Sequence, residues 1–345
     1  MSQNWTYTKA GVNIDVADAT KKEMAKSLSE NDPRVLNRFG AFASLVEGGF
    51  SKIKNPVLVL KTEEPGSKQK LAFQYNRAVS IAYDLIHHLI NDIIVMGAEP
   101  LYVMDCIICG KIESEVVRGL VDAMASACRA QGCVLVGGET SEQPGVVDAG
   151  LYILSANIVG VVEKDRIIDG SKIAKNDLVL AVISNGLHTN GYSLVRALLK
   201  EKPALLKAKI EGESFLDAIM RPHKCYSREF SDLFRLPGLK GLAHITGGGI
   251  EGNLNRILPD SKDAVIERNR IKIPPVFKFI REQGQVPDAD MARTFNLGVG
   301  MTMVCAPDIV DNIVTHLRGF DCERYPIGKI VEGSGKVQYQ GEWGW

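Results

Sequence analysis

The chain has 345 residues, 45% hydrophobic and 24% charged, with 41 Lys plus Arg balancing 41 Asp plus Glu. That length suggests about two domains, each able to bury a core, and zero net charge removes the field that would draw the protein to nucleic acid or an acidic membrane. What remains is small-molecule chemistry in a soluble, cytoplasmic protein. The first residues contain no apolar signal-peptide core, and the longest apolar run, Leu151 to Val162, is interrupted by Ser155 and Asn157.

In chain order, residues 6–30 read as an extended start, YTKAGVNID, followed by a helix over Ala17 to Leu28, and residues 34–50 as a Gly-punctuated loop or short helix. PVLVLK, Pro56 to Lys61, is a strand by its β-branched run. It empties into Thr62, Glu63, Glu64, Pro65, Gly66, Ser67 and Lys68. Such a turn is either solvated or a seat for a metal-bound phosphate with Lys68 as counter-charge.

The stretch YDLIHHLINDIIVMGAEP, Tyr83 to Pro100, is apolar around most of a helical circumference, so the helix belongs inside a domain. Asp84, His88, Asn91 and Asp92 fall at i, i+4, i+7 and i+8 and gather on one side. Buried polar groups of this kind require partners, supplied either by neighbouring protein groups or by a ligand. Gly97 and Pro100 end the helix.

A strand over Leu101 to Ile108 carries the C-x-x-C of Cys106 and Cys109, whose side chains would point to opposite faces. No second C-x-x-C completes a tetrahedral zinc site, so all seven cysteines read as reduced thiols. A helix over Glu113 to Gln131 and a strand over Cys133 to Val136 lead into GGETSEQPG. There Gly137, Gly138, Glu139 and Glu142 are either a tight hairpin or a loop where backbone meets a ligand. The strand Leu151 to Val162 closes an α+β half, with a boundary near residues 165–170.

The second half opens with a strand over Asp177 to Ile183, the loop SNGLHTNG and a helix over Tyr192 to Leu199. The same order of strand, Gly-rich loop and helix recurs at HITGGG, before a helix over Glu251 to Ile257. Free N–H groups and the helix dipole make such junctions suited to anions, phosphate first among them. A helix begun by Pro275, a Gly-marked strand TFNLGVGMTMVC carrying Asn296, a helix over Pro307 to Arg318 and a strand over Tyr325 to Val331 finish the fold.

Seven ordered blocks resemble the phosphoribosylformylglycinamidine cyclo-ligase family, also called aminoimidazole ribonucleotide synthetase. They are YTKAGVNID, NDIIVMGAEP, GGETSEQPG, GVVEKDRIIDG, SNGLHTNGYSLVR, HITGGG and TFNLGVGM. The resemblance implies an α+β, two-domain ATP-grasping synthetase: a ferredoxin-like N-terminal sheet domain, residues 1–168, that dimerises into a barrel-like core, and a mixed-sheet C-terminal α/β domain, residues 169–345. It implies ATP-dependent closure of formylglycinamidine ribonucleotide to 5-aminoimidazole ribonucleotide, with ATP and Mg²⁺, in a homodimer. His188, Lys68 and Asp92 would then be catalytic. Thr62, Glu63, Gly66, Ser67, Lys68, Asn91, Asp92, Gly138 and Glu139 would hold the nucleotide, with Glu63, Asp84, Asp92 and Glu139 on the metal. Asn185, His188, Asn190, Thr246, Gly247, Gly248, Gly249 and Asn296 would hold the ribonucleotide.

Two stretches depart from the family. Where the family reads Thr-Asp-Gly-Val-Gly-Thr-Lys, this chain places Glu64 and Pro65, and Pro65 removes a backbone N–H. The upstream glycine-rich loop is shortened to Asn37, Arg38, Phe39, Gly40 and Ala41, where Arg38 could replace lost N–H charge. These departures keep two other readings open: a non-catalytic nucleotide-binding homologue, and a related small-molecule kinase of the same superfold.

Overall fold

The structure, a computed structural model, describes residues 14–28, 32–37, 43–320 and 322–345. The opening YTKAG and VN of the first block, and Arg38, fall outside them. The chain divides into two compact units, Met1–Ile90 with Pro100–Val161, and Asn91–Glu99 with Val162–Trp345.

The first elements are α1 (Ile14–Leu28), β1 (Pro56–Glu63), α2 (Lys68–Gln74), α3 (Ala78–Ile94), β2 (Glu99–Cys109), α4 (Ser114–Ala130), β3 (Val134–Glu142) and β4 (Tyr152–Glu163). The strands form one sheet in the order β1-β4-β2-β3. β2 and β3 run parallel, from Tyr102 opposite Val134 to Cys109 opposite Glu142. As expected for a helix apolar on most sides, Ile81, Leu85, Ile86, Leu89, Ile90, Ile93 and Ile94 of α3 are all fully buried. α1 lies on α4, where Thr20 Oγ1 meets Ser114 Oγ at 2.7 Å.

Neither reading of GGETSE as a hairpin or a ligand loop describes the backbone: β3 continues through it to Glu142. Gly138 permits this, because it sits opposite Asp105, and a Cβ there would lie 2.1 Å from Asp105 Oδ1. Lys68, expected in a turn, instead begins α2.

The remaining elements are β5 (Leu178–Ile183), α5 (Tyr192–Glu201), β6 (Lys209–Ile210), β7 (Glu213–Ser214), α6 (Phe215–Met220), α7 (Ser227–Phe230), β8 (Leu239–His244), α8 (Gly249–Leu254), β9 (Lys262–Glu267), α9 (Pro275–Gly284), α10 (Asp288–Thr294), β10 (Val299–Cys305), α11 (Val310–Arg318), β11 (Arg324–Glu332) and β12 (Val337–Gln340). Six of these strands make a mixed sheet, β12-β9-β11-β5-β10-β8, antiparallel throughout except for β12 against β9. Every residue of β10 is buried, the polar Thr302 included, so the strand is covered on both faces. Its strand starts at Val299, so Asn296 lies in the preceding loop rather than on the strand.

No helix among the described residues is long and apolar enough to cross a membrane. All seven cysteines are free thiols. Burial pushes Cys109 up to about 11, so the C-x-x-C holds little thiolate at neutral pH.

Candidate functional site

The polar stripe of α3 finds protein partners along its length. Lys68 Nζ lies 2.9 and 2.8 Å from the two oxygens of Asp84, and neither side chain has any exposed surface. His88 Nε2 lies 3.8 Å from Glu63 Oε2. Asn91 donates to Lys224 O at 2.8 Å and accepts from Tyr226 N at 3.0 Å. Asp92 Oδ1 stands 2.7 Å from His244 Nδ1.

This arrangement changes the parts expected of the first unit. Burial lowers the Lys68 pKa while the Asp84 carboxylate opposes that shift, and the two charges neutralise each other inside the protein rather than facing a phosphate and a metal. Glu63 is engaged by Lys61 at 3.0 Å. Thr62 Oγ1 donates to Asn157 Oδ1. Glu139 sits exposed on β3, opposite Cys106. Among the described residues, no group of three His, Cys, Asp or Glu side chains that contains Glu63, Asp84 or Glu139 brings its donor atoms together. These carboxylates therefore form no closed protein cage, and Mg²⁺ brought by ATP would need only one or two of them beside phosphate oxygens and water.

One acid of this unit escaped the sequence reading. Asp105 is 6% exposed, its Oδ2 has no hydrogen-bond partner among the described residues, and burial, reinforced by Glu139, pushes it up to about 7.

In the second unit, three segments bring the expected ribonucleotide residues together. The loop after β5 is fixed by Asn296, whose Nδ2 donates to Gly186 O at 3.0 Å and whose Oδ1 accepts from Ser184 Oγ at 3.2 Å and Gly298 N at 2.9 Å. Asn296 therefore shapes the loop by hydrogen bonds to its backbone and to Ser184. Asn185 donates to Pro222 O at 2.8 Å, tying the loop to the segment between α6 and α7. His188 holds φ +60°, an uncommon conformation for a residue with a side chain, and is 2% exposed. The buried Nδ2 of Asn190 has no hydrogen-bond partner among the described residues.

The HITGGG junction is wound tighter than an open anion cradle. Gly248 N donates to Arg293 O at 3.0 Å and Gly249 N to Thr246 O at 3.1 Å. Asn253 closes the turn, donating to Gly247 O at 3.1 Å and Gly249 O at 2.8 Å and accepting from Thr246 Oγ1 at 3.2 Å. Gly249 is required: its φ is +64°, and a Cβ would lie 1.8 Å from Ala292 O.

His244 ends β8, with its ring centroid 6.5 Å from that of His188. His223 was missed altogether. Its ring stacks on His188 with centroids 3.8 Å apart, and its Nε2 lies 2.9 Å from His244 Nε2. No spacing rule could have found it, because RPHKC is neither glycine-rich nor periodic, and only the fold brings it to His188 and His244.

Two family matches together cover most of the chain. Residues 48–162 match the family described as AIR synthase related protein, N-terminal domain, and residues 174–340 match the corresponding C-terminal domain. The phosphoribosylformylglycinamidine cyclo-ligase of Methylobacillus flagellatus is 41% identical over 337 residues, covering 96% of each chain. Among solved structures, thiamine-monophosphate kinase from Stenotrophomonas maltophilia superposes with a TM-score of 0.69 at 17% identity, covering 96% of this chain and 97% of that one. Hydrogenase maturation protein HypE in complex with ATP gives 0.66 at 15% identity, covering 96% and 92%. At such identities the solved structures share the fold alone.

Proposed function

The chain belongs to the phosphoribosylformylglycinamidine cyclo-ligase family, and we propose that it closes formylglycinamidine ribonucleotide to 5-aminoimidazole ribonucleotide at the expense of ATP, releasing ADP and phosphate. The observation that carries this reading is the 41% identity that runs over almost the whole of both chains.

The chemistry divides into two tasks. A formamide carbon is a weak electrophile and its oxygen a poor leaving group, so the γ-phosphoryl of ATP is first transferred to that oxygen. The ribosyl-bearing amidine nitrogen then attacks the formyl carbon, phosphate departs, and the nitrogen loses its proton. Phosphoryl transfer depends mostly on positioning and charge neutralisation. In this reading Asn190 Nδ2 donates a hydrogen bond to the ribonucleotide, and His188 protonates or polarises the reacting oxygen. Asp92 fixes His244 through Nδ1, which leaves His244 Nε2 directed inward.

Mg²⁺ would accompany ATP, held mainly by phosphate oxygens and water with one or two carboxylates beside them. The protein is further proposed to act as a cytoplasmic homodimer. Support comes from the first unit's sheet, where Leu58 and Leu60 of β1, Met104 of β2 and Ile153 of β4 are 54%, 68%, 39% and 39% exposed. Apolar side chains on adjoining strands suit a self-complementary interface.

One observation favours a second reading, a non-catalytic nucleotide-binding homologue: the Lys68 ammonium, at the start of α2 just after the turn that departs from the family, is closed onto Asp84 of α3. Calorimetric titration with formylglycinamidine ribonucleotide tests the binding half. Saturable binding by the wild type, weakened in Asn190→Ala, is expected; no binding by the wild type would refute both readings.

A further inference from the structure

We propose that His188, His223 and His244 form a binding site for one divalent cation of the zinc class. The three side chains are 2%, 1% and 5% exposed, and a ring nitrogen from each lies within 4.8 Å of the others. They come from three separate segments, each independently held. His188 is fixed at φ +60° ahead of α5. His223 is flanked by Pro222, whose carbonyl accepts from Asn185 at 2.8 Å, and by Lys224, whose carbonyl accepts from Asn91 at 2.8 Å. His244 ends β8.

The decisive relationship is between Asp92 and His244. With Asp92 Oδ1 at 2.7 Å, Nδ1 of a neutral His244 carries the proton and Nε2 carries the lone pair. A carboxylate that orients an imidazole through its far nitrogen is the arrangement found behind metal-binding histidines. Nε2 of His244 then faces Nε2 of His223 at 2.9 Å. Tetrahedral zinc with bonds of about 2.0–2.1 Å places its nitrogen ligands about 3.3 Å apart, so the pair opens by only a few tenths of an ångström to admit an ion. His188 stacks on His223 with an interplanar angle of 21°, and its ring turns to supply the third nitrogen. The fourth position stays with water.

Imidazole donors select zinc, cobalt or nickel over Mg²⁺, which prefers oxygen. The nearby Asp92 carboxylate offsets the buried positive charge. Bound metal would occupy His188 and so oppose the turnover proposed above, but the site does not depend on that reading, because metal binding is measured without substrate.

The test is titration of the chelator-treated protein with Co²⁺, followed by visible absorption and equilibrium dialysis. Expected are one Co²⁺ per chain with a tetrahedral spectrum, its displacement by Zn²⁺, and retention of both in His316→Asn. His223→Asn should bind at least about tenfold more weakly, and Asp92→Asn about 10- to 100-fold more weakly, as outer-shell changes do. Circular dichroism checks that each variant is folded. Absence of stoichiometric Co²⁺ in the wild type would overturn the site and leave the His223 and His244 contact as a plain hydrogen bond. So would equal affinity in a folded His223→Asn.

Discussion

Asp92 Oδ1 and His244 Nδ1 meet at 2.7 Å, joining the end of α3 to the end of β8 within the second unit. In a neutral ring the contact favours the tautomer with the proton on Nδ1 and the lone pair on Nε2. Nitrogen-15 NMR of the imidazoles should report that tautomer in the wild type and its loss, or exchange with the other, in Asp92→Asn. An unchanged tautomer in the variant would mean that Asp92 does not orient the ring.

His188 sits at φ +60°, in the left-handed region, and its ring is buried against that of His223. Positioned general acids contribute about 10²–10⁴-fold to rate. His188→Ala should therefore reduce kcat by that order with the thermal midpoint little changed, and undiminished turnover would remove it from the mechanism.

Lys68 and Asp84 are fully buried and paired. Removing one partner leaves a buried charge, so Lys68→Ala should destabilise the protein by about 3–5 kcal/mol. The double change Lys68→Met with Asp84→Leu should recover most of that loss. Denaturant unfolding decides this: if Lys68→Ala is as stable as the wild type, the ammonium is not held as an internal counter-charge.

Asp105 sets a pH dependence. Its folded-state pKa is raised to about 7, above the ordinary carboxylate value, so the folded protein keeps a proton that the unfolded chain gives up. Stability from this group should fall as pH rises from about 4 to about 7 and then level off, by at most about 4 kcal/mol. Asp105→Asn should remove that slope and gain relative stability at pH 8. A variant that keeps the wild-type slope would assign it to other groups.

What the sequence revealed and what it hid follow from the range of the interactions. The α3 helix, the strand cores and the two glycine-marked loops depend on local periodicity and turn chemistry, and they lie close to where the sequence places them. The need of the α3 polar stripe for partners was also legible, but the partners themselves were not. His244 is 152 residues from Asp92 and Tyr226 is 135 from Asn91, and no local pattern encodes such pairings. Short strands such as β9 and β12 were passed over because charged or polar residues interrupt their apolar runs. Continuation of β3 through two glycines depends on the approach of Asp105 from the neighbouring strand. His223 belongs to the same class: its chemistry comes from its neighbours in space.

The central claim, ATP-driven closure of the imidazole ring, is tested most directly by incubating the purified protein with formylglycinamidine ribonucleotide, ATP and Mg²⁺ and measuring 5-aminoimidazole ribonucleotide and ADP together. The cyclo-ligase reading predicts that both products appear in equal amounts and that neither forms without the ribonucleotide. Ribonucleotide bound with neither product formed would contradict it and leave a nucleotide-binding protein that has kept the fold without the reaction.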